Sequence, residues 1–205
     1  MPDLTKQDQF LLKEYDAAQQ LTFHIDELRN KLTALYLTFA GVAVAGVAVL
    51  IKGEIRSTVF DRIEGLIATL LLIVALIGWI VVLGLARLRR VQIEYFGIIN
   101  SIREHFLGQD YELWNRVQVS RQTLPTPNRR SGTYMWLLLV ILASSSLMAF
   151  SVYLVAKIYI IFSAVLTTGL AGLVFVVYSI TQDISYFRWA KPQIKPVYSA
   201  ERPPS

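Results

Sequence analysis

Serine and threonine hydroxyls recur at helical spacing inside the apolar segments, where they could contact water and ions or hold helices together. Ser151 follows Ser144 by seven residues and Thr167 follows Ser163 by four, so each pair shares a helix face. Small residues, Gly172 among them, follow the second pair. In one interpretation the hydroxyls bond to their own helix or to a neighbouring span. In the other they line a narrow aqueous pore in an oligomer, which needs no intramembrane charge.

Arginine is the second residue type with a candidate role, because residues 87–133 contain eight Arg against four acidic residues. Guanidinium groups bind phosphates and carboxylates through paired hydrogen bonds. The segment could anchor the topology, attract anionic lipid headgroups or receive an anionic ligand. The candidate residues for an anionic ligand or lipid are Arg87, Arg89, Arg90, Arg103, Arg116, Arg129 and Arg130.

Groups that could support catalysis or metal binding are sparse. The chain has no cysteine, which excludes disulfides, thiol nucleophiles and zinc–thiolate sites. His24 and Glu27 have near-ligand spacing, but two ligands do not make a site and His105 is the only other histidine. Neither a phosphate-binding glycine loop nor a nucleophile elbow is present. We therefore expect a non-enzymatic protein with no cofactor and no metal.

A single long helix, from Lys6 to Ile51, is predicted to organise the chain. Leu11, Ala18, Ile25 and Leu32 are seven residues apart, and a second row comprises Leu21, Leu28 and Leu35. Such rows are typical of a coiled coil. The helix is predicted to begin at a capping box formed by Thr5 and Asp8. Residues 32–51 carry no charge and, at ~1.5 Å per residue, are long enough to cross a bilayer.

The second span, residues 65–86, is also predicted to continue as a helix, ending near Gly108. The apolar residues of this extension step by three and four; they are Leu88, Val91, Tyr95, Ile98 and Ile102. Residues 1–31 carry a net charge of −2 and residues 87–133 a net charge of +4. Opposite charge and two apolar rows favour antiparallel pairing of the extensions into a stalk.

The apolar segment from Tyr134 to Ile180 is too long for one span and suits two. Lys157 is its only charge, so we predict a turn there. The proline-rich end of the chain is expected to be extended or disordered. The predicted segments are 1–31 (amphipathic helix), 32–51, 65–86, 134–155 and 159–180 (spans), 52–64 and 156–158 (external connections), 87–133 (helix and linker) and 181–205 (tail).

Small residues at positions 41, 45 and 48 form a smooth stripe on the first span. Gly41, Ala45 and Ala48 would let another helix approach closely, where lipid gives no hydrophobic drive for association. The partner is either a helix of the same chain or a second copy.

Positive charge predicts the orientation in the membrane. With four spans, the side that holds both termini and the central loop carries sixteen Lys and Arg, against four on the other side. The positive-inside rule therefore places the stalk and both termini in the cytoplasm. We expect a multi-pass protein, with the bacterial inner membrane as its location.

These features predict an all-α fold with four transmembrane helices in two hairpins, the first prolonged into a cytoplasmic antiparallel coiled-coil stalk. Exposed heptad faces predict a homo-oligomer in the lipid membrane. In layout the chain resembles small prokaryotic membrane effectors of antiviral defence, often thought to permeabilise membranes. The expected function is a small pore, ion channel or membrane-perturbing effector regulated through the stalk. The alternative is a scaffold that recruits a cytosolic partner; an anionic small ligand is a further candidate partner, and no direct nucleic-acid binding is expected.

Overall fold

The computed structural model of the chain describes residues 5–52, 60–107, 129, 131–159 and 164–191. Within these ranges the chain forms four long α-helices and no strand. The helices are α1 (Lys6–Lys52), α2 (Phe60–Leu107), α3 (Gly132–Tyr159) and α4 (Ala164–Trp189). Each helix is long and apolar enough to cross a membrane, which indicates a multi-pass membrane protein.

Helix α1 begins at the predicted capping box. The backbone amide of Asp8 donates to Thr5 Oγ1 (3.2 Å), and the Thr5 amide and hydroxyl donate to Asp8 Oδ2 (3.1 and 2.7 Å). These bonds satisfy backbone donors that the first helical turn leaves open. Hydrogen bonds from Thr5 lower the pKa of the Asp8 carboxyl, and His105 lowers it by a smaller amount.

The predicted continuity of the first two helices is confirmed. Helix α1 extends one residue beyond the predicted Ile51, and α2 runs without interruption from Phe60 to Leu107. Helix α2 therefore begins before residue 65, the predicted start of the second span. The proposed end at Gly108 and the linker that follows lie outside the described residues.

The predicted turn at residues 156–158 is wrong, because α3 continues to Tyr159. Lys157 lies in its last turn, where a basic side chain interacts favourably with the helix dipole. The lone charge of this apolar segment therefore lies near the end of a helix. Helix α4 begins at Ala164 and continues past residue 180 to Trp189, and this extension contains the buried residues Gln182 and Tyr186.

The chain divides into two compact units. The stalk unit comprises Met1–Leu28, Arg87–Pro127 and Ala190–Ser205, and the membrane unit comprises Arg29–Ala86 and Asn128–Trp189. Each unit has its own buried side chains.

In the stalk unit, the buried faces differ from the predicted rows. Ala18 and Ile25 are buried as expected, but Leu28 is 40% exposed. On α2, Val91 and Ile98 are exposed, while Gln92, Ile93, Ile99 and Asn100 are buried beside Ile102. The buried face of α2 is therefore rotated by about one residue from the row that hydrophobicity alone indicates.

In the membrane unit, the interior is built around the middle of α2. Leu71, Val74 and Ala75 are at most 1% exposed. Val82, seven residues after Ala75, is also fully buried. A side-chain carbon at Gly78 would collide with the Tyr36 hydroxyl and lie only 2.5 Å from Ser144 Cβ. Helices α1, α2 and α3 therefore approach closely at this level only because residue 78 is glycine.

We expect Gly78→Ala to lower the free energy of unfolding of the membrane unit by about 1–3 kcal/mol, because the added methyl group overpacks this contact. Gly172→Ala is the matched control, since its new carbon would meet nothing within 4 Å. Without a clash, Gly→Ala in a helix is favourable by about 0.5–1 kcal/mol. The free energy of unfolding of both variants is measured by chemical or thermal unfolding in detergent, followed by circular dichroism. Equal changes in Gly78→Ala and Gly172→Ala would contradict the close approach at Gly78.

Candidate functional site

Polar side chains from different helices meet inside the membrane unit, and we call Tyr36, Ser144, Tyr178 and Gln182 the central polar cluster. Ser144 Oγ lies 2.9 Å from Gln182 Oε1 and 3.1 Å from the carbonyl oxygen of Ile141. Ser144 and Gln182 are fully buried, and Tyr36 is 2% exposed. Tyr36 on α1, Ser144 on α3 and Gly78 on α2 meet at one point, which the Ser144–Gln182 contact extends to α4.

Two further hydrogen bonds join α2 to its neighbours in this unit. The Tyr178 hydroxyl donates to the carbonyl oxygen of Ala75 (2.8 Å), and Ser151 Oγ donates to that of Ala68 (2.7 Å). The Tyr178 ring also meets the Trp79 ring edge-on, with centroids 5.2 Å apart. Such bonds hold transmembrane helices together where lipid offers no alternative partner.

Several buried polar atoms of the membrane unit have no hydrogen-bond partner among the described residues. They are Thr33 Oγ1, Tyr36 Oη, Ser145 Oγ, Ser179 Oγ and Gln182 Nε2. An unsatisfied buried polar group costs roughly 1–3 kcal/mol, and lipid provides no compensating water. The interior of the unit therefore contains more polar groups than contacts among the described residues satisfy.

Charged groups occupy the ends of the membrane unit. The Lys157 ammonium lies 2.8 Å from the largely buried Glu64 carboxylate. In the same unit, Asp183 accepts from Arg129 and from the Tyr134 hydroxyl (2.8 Å), and the Arg129 guanidinium lies over the Phe187 ring. The Asp183 carboxylate raises the pKa of the exposed Arg129. This ion pair connects Arg129, which precedes α3, to Asp183 on α4.

The predicted small and hydroxyl residues divide into two groups. Ser144, Ser151 and Thr167 are buried inside the unit, which agrees with the helix-packing interpretation and removes them from any surface around an oligomer axis. Gly41, Ala45, Ala48 and Gly172 are exposed, so the stripe on α1 does not pack against the described part of its own chain. Ser163 lies outside the described residues.

The predicted arginines do not converge on one site. Arg89 donates to Gln92 (2.8 Å), Arg90 pairs with Glu94 (3.2 Å), and Arg103 donates to the Tyr15 hydroxyl (2.8 Å). Arg129 pairs with Asp183, as described above, and Arg87 is exposed. Arg116 and Arg130 lie outside the described residues. Most of the described candidates are therefore engaged in contacts within their own unit.

In the stalk unit, polar contacts connect α1 to α2. Gln92 donates to Asp26 (2.9 Å) and is only 3% exposed, and the Tyr15 hydroxyl also accepts from Gln19 (2.6 Å). His105 Nε2 lies 3.5 Å from Asp8 Oδ1. Asn100 is 2% exposed, and neither its amide oxygen nor its amide nitrogen has a partner among the described residues.

Metal binding receives no support from the described residues, which contain no group of three or more His, Asp or Glu that could hold an ion. His24 and Glu27 are 3.9 Å apart and exposed. Sequence reasoning missed several of these polar residues, among them Gln92, Asn100 and Gln182. For Gln182 a signal existed, because Tyr178, Gln182 and Tyr186 follow one another every four residues across the predicted end of the last span at residue 180.

No family model, curated protein or solved structure gives a significant match to this chain.

We expect Ser144→Ala to destabilise the membrane unit by about 1–3 kcal/mol, because Gln182 Oε1 loses its donor and stays buried. Ser144→Ala combined with Gln182→Met removes both partners and should be less destabilising than Ser144→Ala alone. Ser146→Ala is the control, since Ser146 is exposed beside the same position. The free energy of unfolding in detergent is measured for all three variants. A double variant less stable than Ser144→Ala would contradict the pairing of Ser144 with Gln182.

Proposed function

We propose that this protein is a non-enzymatic, homo-oligomeric membrane effector that opens a narrow path for ions or perturbs the bilayer under control of its stalk. The observation that carries the proposal is the surplus of buried polar groups in the membrane unit. Water entering an opened bundle would hydrate these groups and remove their desolvation cost. Their burial is thus the signature of a closed state.

The polar groups are spread along the unit rather than confined to one depth. Thr33 and Tyr36 lie near the start of the first span, Ser144 and Ser145 lie at the middle of α3, and Ser151 lies two turns further. Glu64 pairs with Lys157 at the end of α3. Such a succession provides hydrogen-bond partners along a path inside each chain, in place of the oligomer-axis pore that the sequence suggested.

Charge distribution supports a cytoplasmic stalk, as the positive-inside rule predicts. In the stalk unit, Asp8 contacts His105, Tyr15 contacts Arg103, and Asp26 contacts Gln92. Residue numbers fall on α1 as they rise on α2, as in an antiparallel coiled-coil pair. Because α1 and α2 are each unbroken, a change in this pairing would be transmitted directly to the spans. We place the protein in a bacterial inner membrane.

The exposed stripe of small residues on α1 supports the proposed oligomerisation. Gly41 and Ala45 lie four residues apart, and Ala48 three further, all exposed. Small residues at this spacing suit a second transmembrane helix, and a second copy of the chain presents the same surface. Crosslinking in mild detergent should therefore yield dimers or higher oligomers.

For the path itself, we expect Gln182→Met to lower ion flux by about tenfold or more, because one hydrogen bond to permeating water or ions is lost inside the bundle. Flux is measured in liposomes that contain either the wild-type chain or the Asp26→Ala variant. The Asp26→Ala variant lacks the stalk contact to Gln92. Ser146→Ala, on the exposed face, should leave the flux unchanged. Liposomes that stay tight with both the wild-type and Asp26→Ala proteins would contradict the pore hypothesis.

A second candidate function, a scaffold that recruits a cytosolic partner, is supported by apolar side chains exposed on the stalk unit. Phe23 is 73% exposed and Leu12 is 39% exposed. They are eleven residues apart, about three helical turns, and therefore lie on one side of α1. Exposed apolar surface outside the membrane indicates a protein-binding face.

If this face binds another protein, Leu12→Gln with Phe23→Gln should abolish co-purification of the partner or reduce crosslinked oligomer by about tenfold. Phe10→Gln is the matched control, since Phe10 is 61% exposed on the opposite side of the helix. Helicity by circular dichroism should be equal in both variants. Equal loss of association in the control would exclude a specific face, and bound partner without any flux would favour the scaffold over the pore.

A further inference from the structure

A charged contact in the membrane unit joins the segment that precedes α3 to helix α4. Asp183 Oδ2 accepts from the Arg129 guanidinium, and Asp183 Oδ1 accepts from the Tyr134 hydroxyl (2.8 Å). The Arg129 guanidinium also lies over the Phe187 ring, 5.2 Å from its centroid. We call Arg129, Tyr134, Asp183 and Phe187 the Asp183 clasp.

The two charges of the clasp are unequally buried. The Asp183 side chain is 16% exposed, whereas the Arg129 side chain is 66% exposed. Of the two donors to Asp183 among the described residues, only Arg129 carries a positive charge. A largely buried carboxylate depends on such a partner, because burial removes the water that would otherwise stabilise its charge. The exposed member of the pair can therefore leave at little cost to itself, while the buried member cannot remain alone.

The residue that precedes Asp183 on α4 belongs to the central polar cluster. Gln182 is fully buried, and its Oε1 lies 2.9 Å from Ser144 Oγ on α3. Because Gln182 and Asp183 are consecutive residues of one unbroken helix, a displacement of Asp183 also moves Gln182. The clasp is therefore coupled through α4 to the contact between Gln182 and Ser144.

Arg129 lies close to the point where the chain enters the membrane unit. The central segment of the stalk unit ends at Pro127, and the membrane unit resumes at Asn128. The two residues from Pro127 to Arg129 can span at most about 7 Å when fully extended. A larger displacement of the chain at Pro127 must therefore be transmitted to Arg129, the exposed member of the clasp.

We propose that the Asp183 clasp is an autoinhibitory contact, a role that rests on the proposed pore function. With Arg129 in place, the charge of Asp183 is compensated and α4 stays against α3. When movement of the stalk unit withdraws Arg129, the carboxylate is left buried without a cation. The carboxylate then gains solvation by moving towards water, which displaces α4, separates Gln182 from Ser144 and opens the path.

The clasp itself is tested by trypsin, which must bind the arginine side chain in its own pocket before it cleaves the next peptide bond. Every protein is the full chain in nanodiscs and carries Arg130→Gln, which removes the neighbouring cleavage site. Asp183→Asn should speed cleavage after Arg129 by about tenfold, because a charged hydrogen bond no longer holds the guanidinium. Glu64→Gln is the matched control, since it makes the same change in the other ion pair of the membrane unit. Equal cleavage rates in wild type and Asp183→Asn would overturn the clasp.

The autoinhibitory role is tested by ion flux from liposomes that contain the full chain. Arg129→Gln leaves Asp183 buried without its cation and should raise the flux by about tenfold. Combining Arg129→Gln with Asp183→Asn removes the unpaired charge as well, so the flux should return to within about twofold of wild type. Arg188→Gln is the control, because it removes an exposed cation of α4 outside the clasp and should change the flux by less than about twofold.

The possible failures are distinguishable. Faster cleavage in Asp183→Asn with unchanged flux in Arg129→Gln would overturn the autoinhibitory role and leave the clasp as a structural contact. Equally high flux in Arg129→Gln and in the double variant would overturn the role of the unpaired charge. Liposomes that stay tight with every variant, Asp26→Ala included, would overturn the proposed pore function and this role with it, whatever the cleavage rates.

Discussion

The structure depends most on a constraint that the bilayer imposes: a polar group taken out of water must find its partner inside the protein. The spans of this chain carry serine, threonine, tyrosine and glutamine, and their hydrogen bonds fix which helix faces meet. Apolar side chains alone would not specify this, since lipid is as apolar as leucine. Gly78 makes the arrangement sterically feasible, because it is where three helices come within contact distance.

Buried polar groups also need partners in the stalk unit. Gln92 is buried because Arg89 and Asp26 bond to both ends of its amide. Asn100 is buried without such partners among the described residues, at a cost that larger apolar neighbours must offset. Buried amides of this kind fix the register of paired helices more than they add stability.

Much of the fold was predictable because it follows from local pattern. Uncharged segments predicted four spans, and the capping box and heptads predicted where α1 begins and that it does not break. The rotated seam of α2 was not predictable, because Gln92 looks like a surface residue until its partners on the other helix are known. Gln182 was missed for a similar reason: its burial depends on Ser144, thirty-eight residues away. The error at Lys157 arose because a basic side chain is also favourable in the last turn of a helix.

The pairing of Glu64 with Lys157 has a consequence for how such a bundle could respond to membrane voltage. Lys157 is the only ionised side chain in the apolar segments of the sequence, and it lies at a helix end beside an opposite charge. Moving these helices would therefore carry almost no net charge through the electric field. A channel senses voltage only through such charge, at about 2.3 kcal/mol per charge for each 100 mV. In the proposed pore, opening would thus be electrically silent, and control would come from contacts with the stalk unit or with the lipid-facing surface.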